Sequence, residues 1–219
     1  MASSKILLVD DHPLMREGLC QWISAEPGLE VAGMVGSVQE AITFVDSSPL
    51  HLVITDLSLP GRSGLELIKD LGATHRELPV LALSMHDELL YAERVLRAGG
   101  RGYVMKNSSP EIIMSAIRTV LRGEVFASQA VTGHFLEVLS SGKGKSNATY
   151  PLETLTDREI EVFELIGRAK SNQEIAAQLG ISVRTLDAHR AHIREKLGLA
   201  DSKELTCHAI RWVEAGLAQ

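Results

Sequence analysis

The sequence has almost no cysteine and no long apolar run. Its 219 residues include two cysteines, Cys20 and Cys207, too few for a disulfide framework or a zinc ligand set. Charged residues interrupt every apolar stretch, so no membrane span is predicted, and the N-terminus lacks the apolar region of a signal peptide. We therefore expect a protein of the reducing cytoplasm.

The sequence also has no excess of positive charge. The formal net charge is −6, which argues against a general affinity for nucleic acid. Within 182–197, however, basic side chains outnumber acidic ones by four to two, and two histidines accompany them. An acidic protein with one basic helix fits a local contact with a polyanion. The four basic residues are Arg184, Arg190, Arg194 and Lys196.

The first half of the chain alternates between apolar runs and helix-like periodic stretches. Five such units predict a parallel sheet that is covered by helices on both faces. A capping box at Ser37 and a proline after Ser109 mark two of the helix starts. The predicted strands are Ile6–Val9, Glu30–Val35, Leu50–Thr55, Val80–Leu83 and Gly102–Met105.

The second half is predicted to be entirely helical. Ser140–Pro151 is rich in Ser, Gly and Lys and is typical of a flexible linker. Capping boxes begin at Thr156 and Ser171, and a glycine turn then precedes a helix that starts after Ser182. A short helix, a glycine turn and a longer basic helix indicate a helix-turn-helix.

Chemically active side chains follow the ends of the predicted strands. For a five-unit parallel sheet the common strand order is 2-1-3-4-5, and ligands bind beyond the carboxyl ends of strands 1 and 3. Strand 1 ends in Asp10 and Asp11, strand 3 in Asp56, strand 4 in Ser84 and strand 5 in Lys106. Single acids at such positions are often turn residues, but five suitable residues at four strand ends favour one site.

The gathered carboxylates predict a cation. Three carboxylates in one place repel one another unless a cation sits among them, and oxygen ligands suit Mg²⁺. Asp56 lies on the central strand, so we expect it to accept a phosphoryl group. Asp10, Asp11 and the Ser58 carbonyl would complete the metal site.

Four segments of the first half resemble the signature blocks of bacterial response-regulator receiver domains: KILLVDDHPLMREG, VITDLSLPGRSGLEL, LALSMHD and GYVMKNSSPEII. The segment LTDREIEVFELIGRAKSNQEIAAQLGISVRTLDAHRAHIREKLGL resembles the LuxR-type helix-turn-helix of the NarL/FixJ subfamily. The resemblance implies a flavodoxin-like (βα)5 receiver at 1–125, a partly helical linker at 126–151 and a four-helix DNA-binding domain at 152–219.

The same resemblance implies a phosphorylation-controlled transcription factor rather than an enzyme. A sensor histidine kinase would phosphorylate Asp56. The side chains of Ser84 and Lys106 would contact the phosphoryl group. Mg²⁺ would bind Asp10 through water, and Asp11, Asp56 and the Ser58 carbonyl directly. Tyr103 stands where the family has its switch aromatic, although it could equally be an ordinary half-buried ring. Slow hydrolysis of the phosphate is expected of such a domain.

The longer basic helix, which starts after Ser182, is the predicted recognition helix and is expected to enter the major groove of double-stranded DNA. The active form is expected to be a homodimer that binds two half-sites. RNA polymerase is a further candidate partner. Many relatives have lysine where this chain has Asp187, so its base preference is open. The predicted DNA-contacting residues are Ser182, Arg184, Thr185, Asp187, Ala188, Arg190, Ala191, Arg194 and Lys196.

Three alternatives remain at this stage. A hydrolase could use Asp56 as its nucleophile, although it would need a general acid where Ser58 stands. The chain could also be a receiver that acts only through protein contacts or is never phosphorylated, although the complete set of acids, serine and lysine argues against this. In the last helix the apolar stripe of Leu205, Ala209, Trp212 and Val213 could pair with a second copy or close the core of its own domain.

Overall fold

A computed structural model describes residues 3–140 and 151–217. They fold as two compact units, divided after Ser140. Segment 126–140, expected to be a partly helical linker, belongs to the first unit, and linker residues 141–150 lie outside the described residues. Neither described part contains a helix that is long and apolar enough to cross a membrane.

Five parallel strands form the sheet of the first unit. They are β1 (Ser4–Val9), β2 (Leu29–Val35), β3 (Leu52–Thr55), β4 (Val80–Ser84) and β5 (Gly102–Met105). The order across the sheet is β2-β1-β3-β4-β5, which confirms the predicted order. The carboxyl ends of β1, β3, β4 and β5 therefore meet at one edge.

Six helices accompany the sheet. The predicted capping box at Ser37 is half formed, because Ser37 accepts the Glu40 N–H while the Glu40 carboxylate accepts the Gly36 N–H at 2.8 Å instead. Ser63 and Glu66 form a complete capping box. The helices are α1 (Pro13–Ser24), α2 (Val38–Ser47), α3 (Gly64–Thr74), α4 (Glu88–Arg97), α5 (Pro110–Leu121) and α6 (Gln129–Ser140).

Both faces of the sheet are covered. Ile6 in β1 shares one core cluster with Leu19 of α1 and Ile117 of α5. Leu7 and Val53 are also fully buried, and Leu7 points to the opposite face from Ile6 because side chains alternate along a strand. Burial on two faces explains why these strands are apolar throughout rather than alternating.

The chain after α5 returns to the edge of the sheet. Phe126 pairs with Gly102 of β5, and the Phe126 N–H donates to the Arg101 carbonyl at 2.9 Å. Ser128 then caps α6 through the Val131 N–H, and α6 packs against α4. The residues that follow α5 therefore extend the fold of the first unit, which sequence reasoning did not predict.

The second unit is helical. A 3-10 turn (Pro151–Thr154) precedes α7 (Asp157–Gly167), α8 (Asn172–Leu179), α9 (Val183–Leu197) and α10 (Ser202–Leu217). Between α8 and α9, Gly180 adopts φ 64°, the left-handed conformation that glycine tolerates best. Leu205 and Ala209 of α10 are fully buried, and Trp212 packs on Phe163 of α7. The α10 stripe thus closes the core of its own unit.

Candidate functional site

Three of the predicted strand-end residues, Asp10, Asp56 and Lys106, form one buried cluster in the first unit. Lys106 Nζ lies 2.6 Å from Asp10 Oδ2 and 2.8 Å from Asp56 Oδ2. These three side chains are at most 6% exposed. Ser84 is fully buried at the end of β4. The parallel sheet brings them together because each is the last residue of its strand or follows that strand directly.

The cluster is held together by charge. Burial alone would lower the pKa of Lys106, but the adjacent Asp56 and Asp10 carboxylates outweigh burial and raise it above its ordinary value. The lysine therefore stays protonated and partly offsets the repulsion between two buried carboxylates. A charged lysine that bridges two carboxylates also fixes the orientation of both.

The donor set fits a divalent cation. Asp10, Asp11, His12 and Asp56 each offer one ligand atom, and these four atoms lie within 4.8 Å of one another. Carboxylate oxygens are the ligands that Mg²⁺ prefers. The structure thus groups the three predicted carboxylates and adds His12, while the role of the Ser58 carbonyl stays a prediction.

The hydroxyl of Ser84 has no hydrogen-bond partner among residues 3–140 and 151–217. A buried hydroxyl left unpaired costs about 1–3 kcal/mol of stability. Such a cost is expected where a ligand supplies the missing partner. The Ser84 hydroxyl is therefore available to donate a hydrogen bond to a ligand with acceptor oxygens, as a phosphoryl group has.

Two contacts fix the backbone beneath the acids. Arg16 of α1 donates from Nη1 to the Asp10 carbonyl. Gly64, the first residue of α3, packs so closely on β3 that an added Cβ would lie 1.9 Å from the Asp56 carbonyl oxygen. The Gly64 N–H also donates to the Leu57 carbonyl at 2.9 Å. The first turns of α1 and α3 thus hold the strand ends in place.

Tyr103 is buried rather than half-buried, at 2% exposure. Its hydroxyl donates to the His86 carbonyl at 2.6 Å. The His86 ring stacks on Tyr91 of α4 with centroids 4.6 Å apart, and its Nε2 lies 2.7 Å from Ser58 Oγ. Tyr103 therefore joins β5 to the loop between β4 and α4, close in sequence to Ser84.

In the second unit, α9 buries one face and exposes the other. Leu186 and Ile193 are fully buried. Ser182 caps the helix by accepting the Thr185 N–H at 3.1 Å. The exposed residues of the predicted contact set are Ser182, Arg184, Thr185, Asp187, Ala188, Ala191 and Lys196.

Comparisons with known proteins cover both units. Residues 6–118 match the family described as "Response regulator receiver domain". Residues 153–209 match "Bacterial regulatory proteins, luxR family". The chain belongs to the response regulators with a LuxR-type DNA-binding domain. This regulator is 35% identical to the oxygen regulatory protein NreC of Staphylococcus aureus (strain JH9), over 94% of this chain and 97% of NreC.

Solved structures agree with this assignment. RcsB of Salmonella enterica serovar Typhimurium, bound to promoter P1flhDC in the presence of phosphomimetic BeF3⁻, is 25% identical with a TM-score of 0.68, covering 94% of this chain and 98% of RcsB. A LuxR-family response regulator from Aurantimonas sp. SI85-9A1 is 30% identical with a TM-score of 0.60, covering 64% of this chain and 99% of that one. The response regulator therefore shares its fold with both.

Two predicted DNA contacts of the regulator have partners within its second unit. Lys196 Nζ lies 2.6 Å from Glu159 Oε2, and Arg190 Nη1 donates to Asn172 Oδ1 at 3.3 Å. Arg194, also predicted to contact DNA, is half-buried, and its Nε is buried without a hydrogen-bond partner in the described part of the chain. The two contacts orient Lys196 and Arg190 before any DNA is present.

Sequence reasoning missed His12, Arg16 and Gly64 in the receiver site. His12 had a signal, because a histidine directly after two acids adds a nitrogen donor to their cluster. Arg16 lies six residues from Asp10 along the chain. The contact depends on how α1 is oriented relative to the end of β1, which the sequence does not indicate. Gly64 follows a loop, and its packing on Asp56 depends on the tertiary fold.

Proposed function

We propose that phosphorylation of Asp56 switches this response regulator between two DNA-binding states. The observation that carries the proposal is the buried cluster in which Lys106 bridges Asp10 and Asp56, with the unpaired Ser84 hydroxyl at the end of the strand between β3 and β5. It offers a carboxylate nucleophile, an ammonium group and a hydroxyl donor, the set that accepting a phosphoryl group requires. Membership of the family indicates the donor, a phosphohistidine of a sensor histidine kinase.

In the transfer, an Asp56 carboxylate oxygen forms a bond to phosphorus as the bond between phosphorus and the donor histidine nitrogen breaks. The electron pair of that bond stays on the histidine nitrogen. Lys106 and the Ser84 hydroxyl stabilise the charge on the phosphoryl oxygens. Asp10, Asp11, Asp56 and the Ser58 carbonyl would hold Mg²⁺, which neutralises carboxylate and phosphoryl charge. Slow hydrolysis of the aspartyl phosphate would reset the switch.

The added charge at Asp56 can change the position of α4 through a series of neighbouring contacts. The phosphoryl group brings nearly one further negative charge and three strong acceptors to the end of β3. The Ser84 hydroxyl gains a partner there, and the loop that follows Ser84 carries the His86 carbonyl that Tyr103 binds. Because the His86 ring stacks on Tyr91, a shift of this loop displaces α4. The proposal therefore places the two-state element at α4 and β5.

At the other end, α9 is the candidate recognition helix. Its N-terminal residues Arg184, Asp187 and Ala188 are exposed and suit contacts with base edges in the major groove. Asp187 can accept a hydrogen bond from cytosine N4. A single helix reads few base pairs, so we propose a homodimer on two half-sites, with RNA polymerase as a further partner. The promoter-bound RcsB relative supports this part of the proposal.

Intact-mass measurement with acetyl phosphate and Mg²⁺ tests the receiver. Wild type should gain the mass of one phosphoryl group and Asp56→Ala should gain none. Asp70→Asn, which changes an exposed acid of α3 that pairs with Arg62, should be labelled like wild type. Labelling of Asp56→Ala to the wild-type extent would refute the choice of Asp56.

DNA binding tests the second half of the proposal. The affinity of the full-length regulator for genomic fragments enriched by its own binding should rise on phosphorylation, and the complex should contain two copies of the chain. Affinity that is the same for wild type and Asp56→Ala after acetyl phosphate treatment would contradict the proposed switch.

A further inference from the structure

We infer that His12 is a nitrogen ligand of the cation site, which raises the affinity of this receiver for transition-metal ions relative to Mg²⁺. The inference rests on the proposed cation site and names one more of its ligands. His12 Nδ1 lies 2.6 Å from Asp11 Oδ1 and 3.3 Å from Asp10 Oδ1. All three residues belong to the group whose ligand atoms, one from each residue, lie within 4.8 Å of one another.

These separations fit neighbouring ligands of one ion. With metal–ligand bonds of about 2.1 Å in octahedral geometry, adjacent donor atoms lie about 3.0 Å apart. The two distances from His12 Nδ1 fall on either side of that value. An ion could therefore bind the imidazole and both carboxylates with small side-chain adjustments.

The lysine does not compete for the same oxygens. Lys106 contacts the Oδ2 atoms of Asp10 and Asp56, whereas His12 approaches the Oδ1 atoms of Asp10 and Asp11. The His12 backbone N–H also donates to Asp10 Oδ1 at 2.8 Å, and a carboxylate oxygen has a second lone pair for an ion. The Asp10 carboxylate can thus serve the lysine through one oxygen and a metal through the other.

The backbone holds His12 near the acids. His12 is the N-cap of α1 and has extended backbone angles, φ −92° and ψ 106°. Pro13, the next residue in the chain, disfavours helical geometry at His12. The His12 side chain is 68% exposed, so water ligands can complete the coordination sphere. The backbone of His12 is therefore already ordered before a metal ion binds.

An imidazole ligand changes which ion is preferred. Mg²⁺ favours oxygen and keeps several waters, whereas imidazole suits Mn²⁺ weakly and Ni²⁺, Cu²⁺ and Zn²⁺ more strongly. A site made of carboxylates alone gives a smaller advantage to these ions. His12 would therefore raise the affinity of the receiver for these ions relative to Mg²⁺.

The test compares full-length wild type, His12→Asn and the control His75→Asn. His75 is the C-cap that follows α3, and its Nε2 lies 3.4 Å from Asp46 Oδ1, a histidine–acid pair in the same unit. Calorimetric titration should show that His12→Asn weakens Ni²⁺ binding by about tenfold or more, as loss of a metal-site partner commonly does. The Mg²⁺ affinity should change by less than about threefold, because Mg²⁺ gains little from nitrogen. His75→Asn should match wild type for both ions.

Pulsed electron paramagnetic resonance of bound Mn²⁺ gives a second readout. Wild type and His75→Asn should show nitrogen-14 modulation from a coordinated imidazole, and His12→Asn should lose it. Equal weakening of Ni²⁺ and Mg²⁺ in His12→Asn, or a wild-type spectrum without nitrogen coupling, would overturn the inference. Failure of the proposed function looks different: His12-dependent metal binding would persist while acetyl phosphate left Asp56 unlabelled.

Discussion

Replacing Gly64 with alanine tests whether the first turn of α3 positions Asp56. The added Cβ would lie 1.9 Å from the Asp56 carbonyl oxygen and 2.8 Å from its carbonyl carbon, both backbone atoms that cannot rotate away. To reach ordinary contact, the two backbones must separate by about 1.5 Å, and overpacking of this kind costs about 1–3 kcal/mol. We expect the upper part of that range, because backbone rather than a flexible side chain must yield.

The same displacement should slow phosphorylation. Misplacing a reacting group by about 1 Å can cost about a hundredfold in rate, and the clash acts on the residue that carries the proposed nucleophile. We therefore expect Gly64→Ala to react with acetyl phosphate at least about tenfold more slowly than wild type under conditions where both are folded.

Gly18 provides the matched control. It lies inside α1, and an added Cβ there meets nothing within 4 Å. Gly18→Ala should therefore raise the free energy of unfolding by about 0.5–1 kcal/mol and leave the phosphorylation rate at the wild-type value.

Urea unfolding can follow the first unit alone. The chain has two tryptophans, Trp22 in α1 and Trp212 in α10, so a Trp212→Phe background leaves fluorescence that reports on the first unit. If Gly64→Ala unfolded at the wild-type urea concentration, the close packing on Asp56 would be disproved. If it were destabilised yet phosphorylated at the wild-type rate, Gly64 would be structural and not a positioning residue.

Three further predictions follow from single contacts. Ser84→Ala removes a buried unpaired hydroxyl, so urea unfolding should show stability unchanged or raised by up to about 1 kcal/mol, while labelling by acetyl phosphate slows; faster labelling would contradict the role of the hydroxyl. Asp187→Lys should steepen the salt dependence of duplex DNA affinity by about one unit of logarithmic slope in anisotropy titrations, and an unchanged slope would count against Asp187 facing DNA. Burial opposes ionisation of Glu159, but hydrogen bonds from Lys196 and Thr156 outweigh it and lower its pKa below the ordinary 4.5. The stability that this carboxylate contributes is present above pH 4.5 and lost as pH falls through the lowered pKa. Lys196→Met should therefore lower the free energy of unfolding of the second unit at pH 7, and the difference from wild type should be smaller at pH 4. An equal difference from wild type at both pH values would refute this linkage.

The strand-end cluster could be predicted from sequence because parallel sheets have few topologies. Once five β–α units are recognised, the order 2-1-3-4-5 places the ends of β1, β3, β4 and β5 together. The positions of Asp10, Asp56 and Lys106 then follow from chain order alone. The N-caps of α7, α8 and α9 could also be predicted, because a capping side chain binds a backbone N–H that lies within four residues of it along the chain.

Contacts between distant segments could not be predicted in this way. The pairing of Lys196 with Glu159 joins residues 37 positions apart, and that of Ser58 with His86 joins residues 28 apart. Their formation depends on helix packing and loop shape, which hydrophobic periodicity does not encode. Sequence reasoning therefore assigned Lys196 to DNA because a basic residue on a basic helix carries no sign of an internal partner.

The edge of the sheet combines both kinds of constraint. Gly102 begins β5, and an added Cβ there would lie 3.0 Å from the Cβ and the carbonyl oxygen of Phe126, so a larger residue would push the returning chain off the strand. Tyr103 follows Gly102 directly, and α6, reached through Phe126, packs on α4. A movement of β5 or of α4 therefore displaces the same segment. That segment leads out of the first unit. A rearrangement at the Tyr103 hydroxyl would therefore displace it through both β5 and α4.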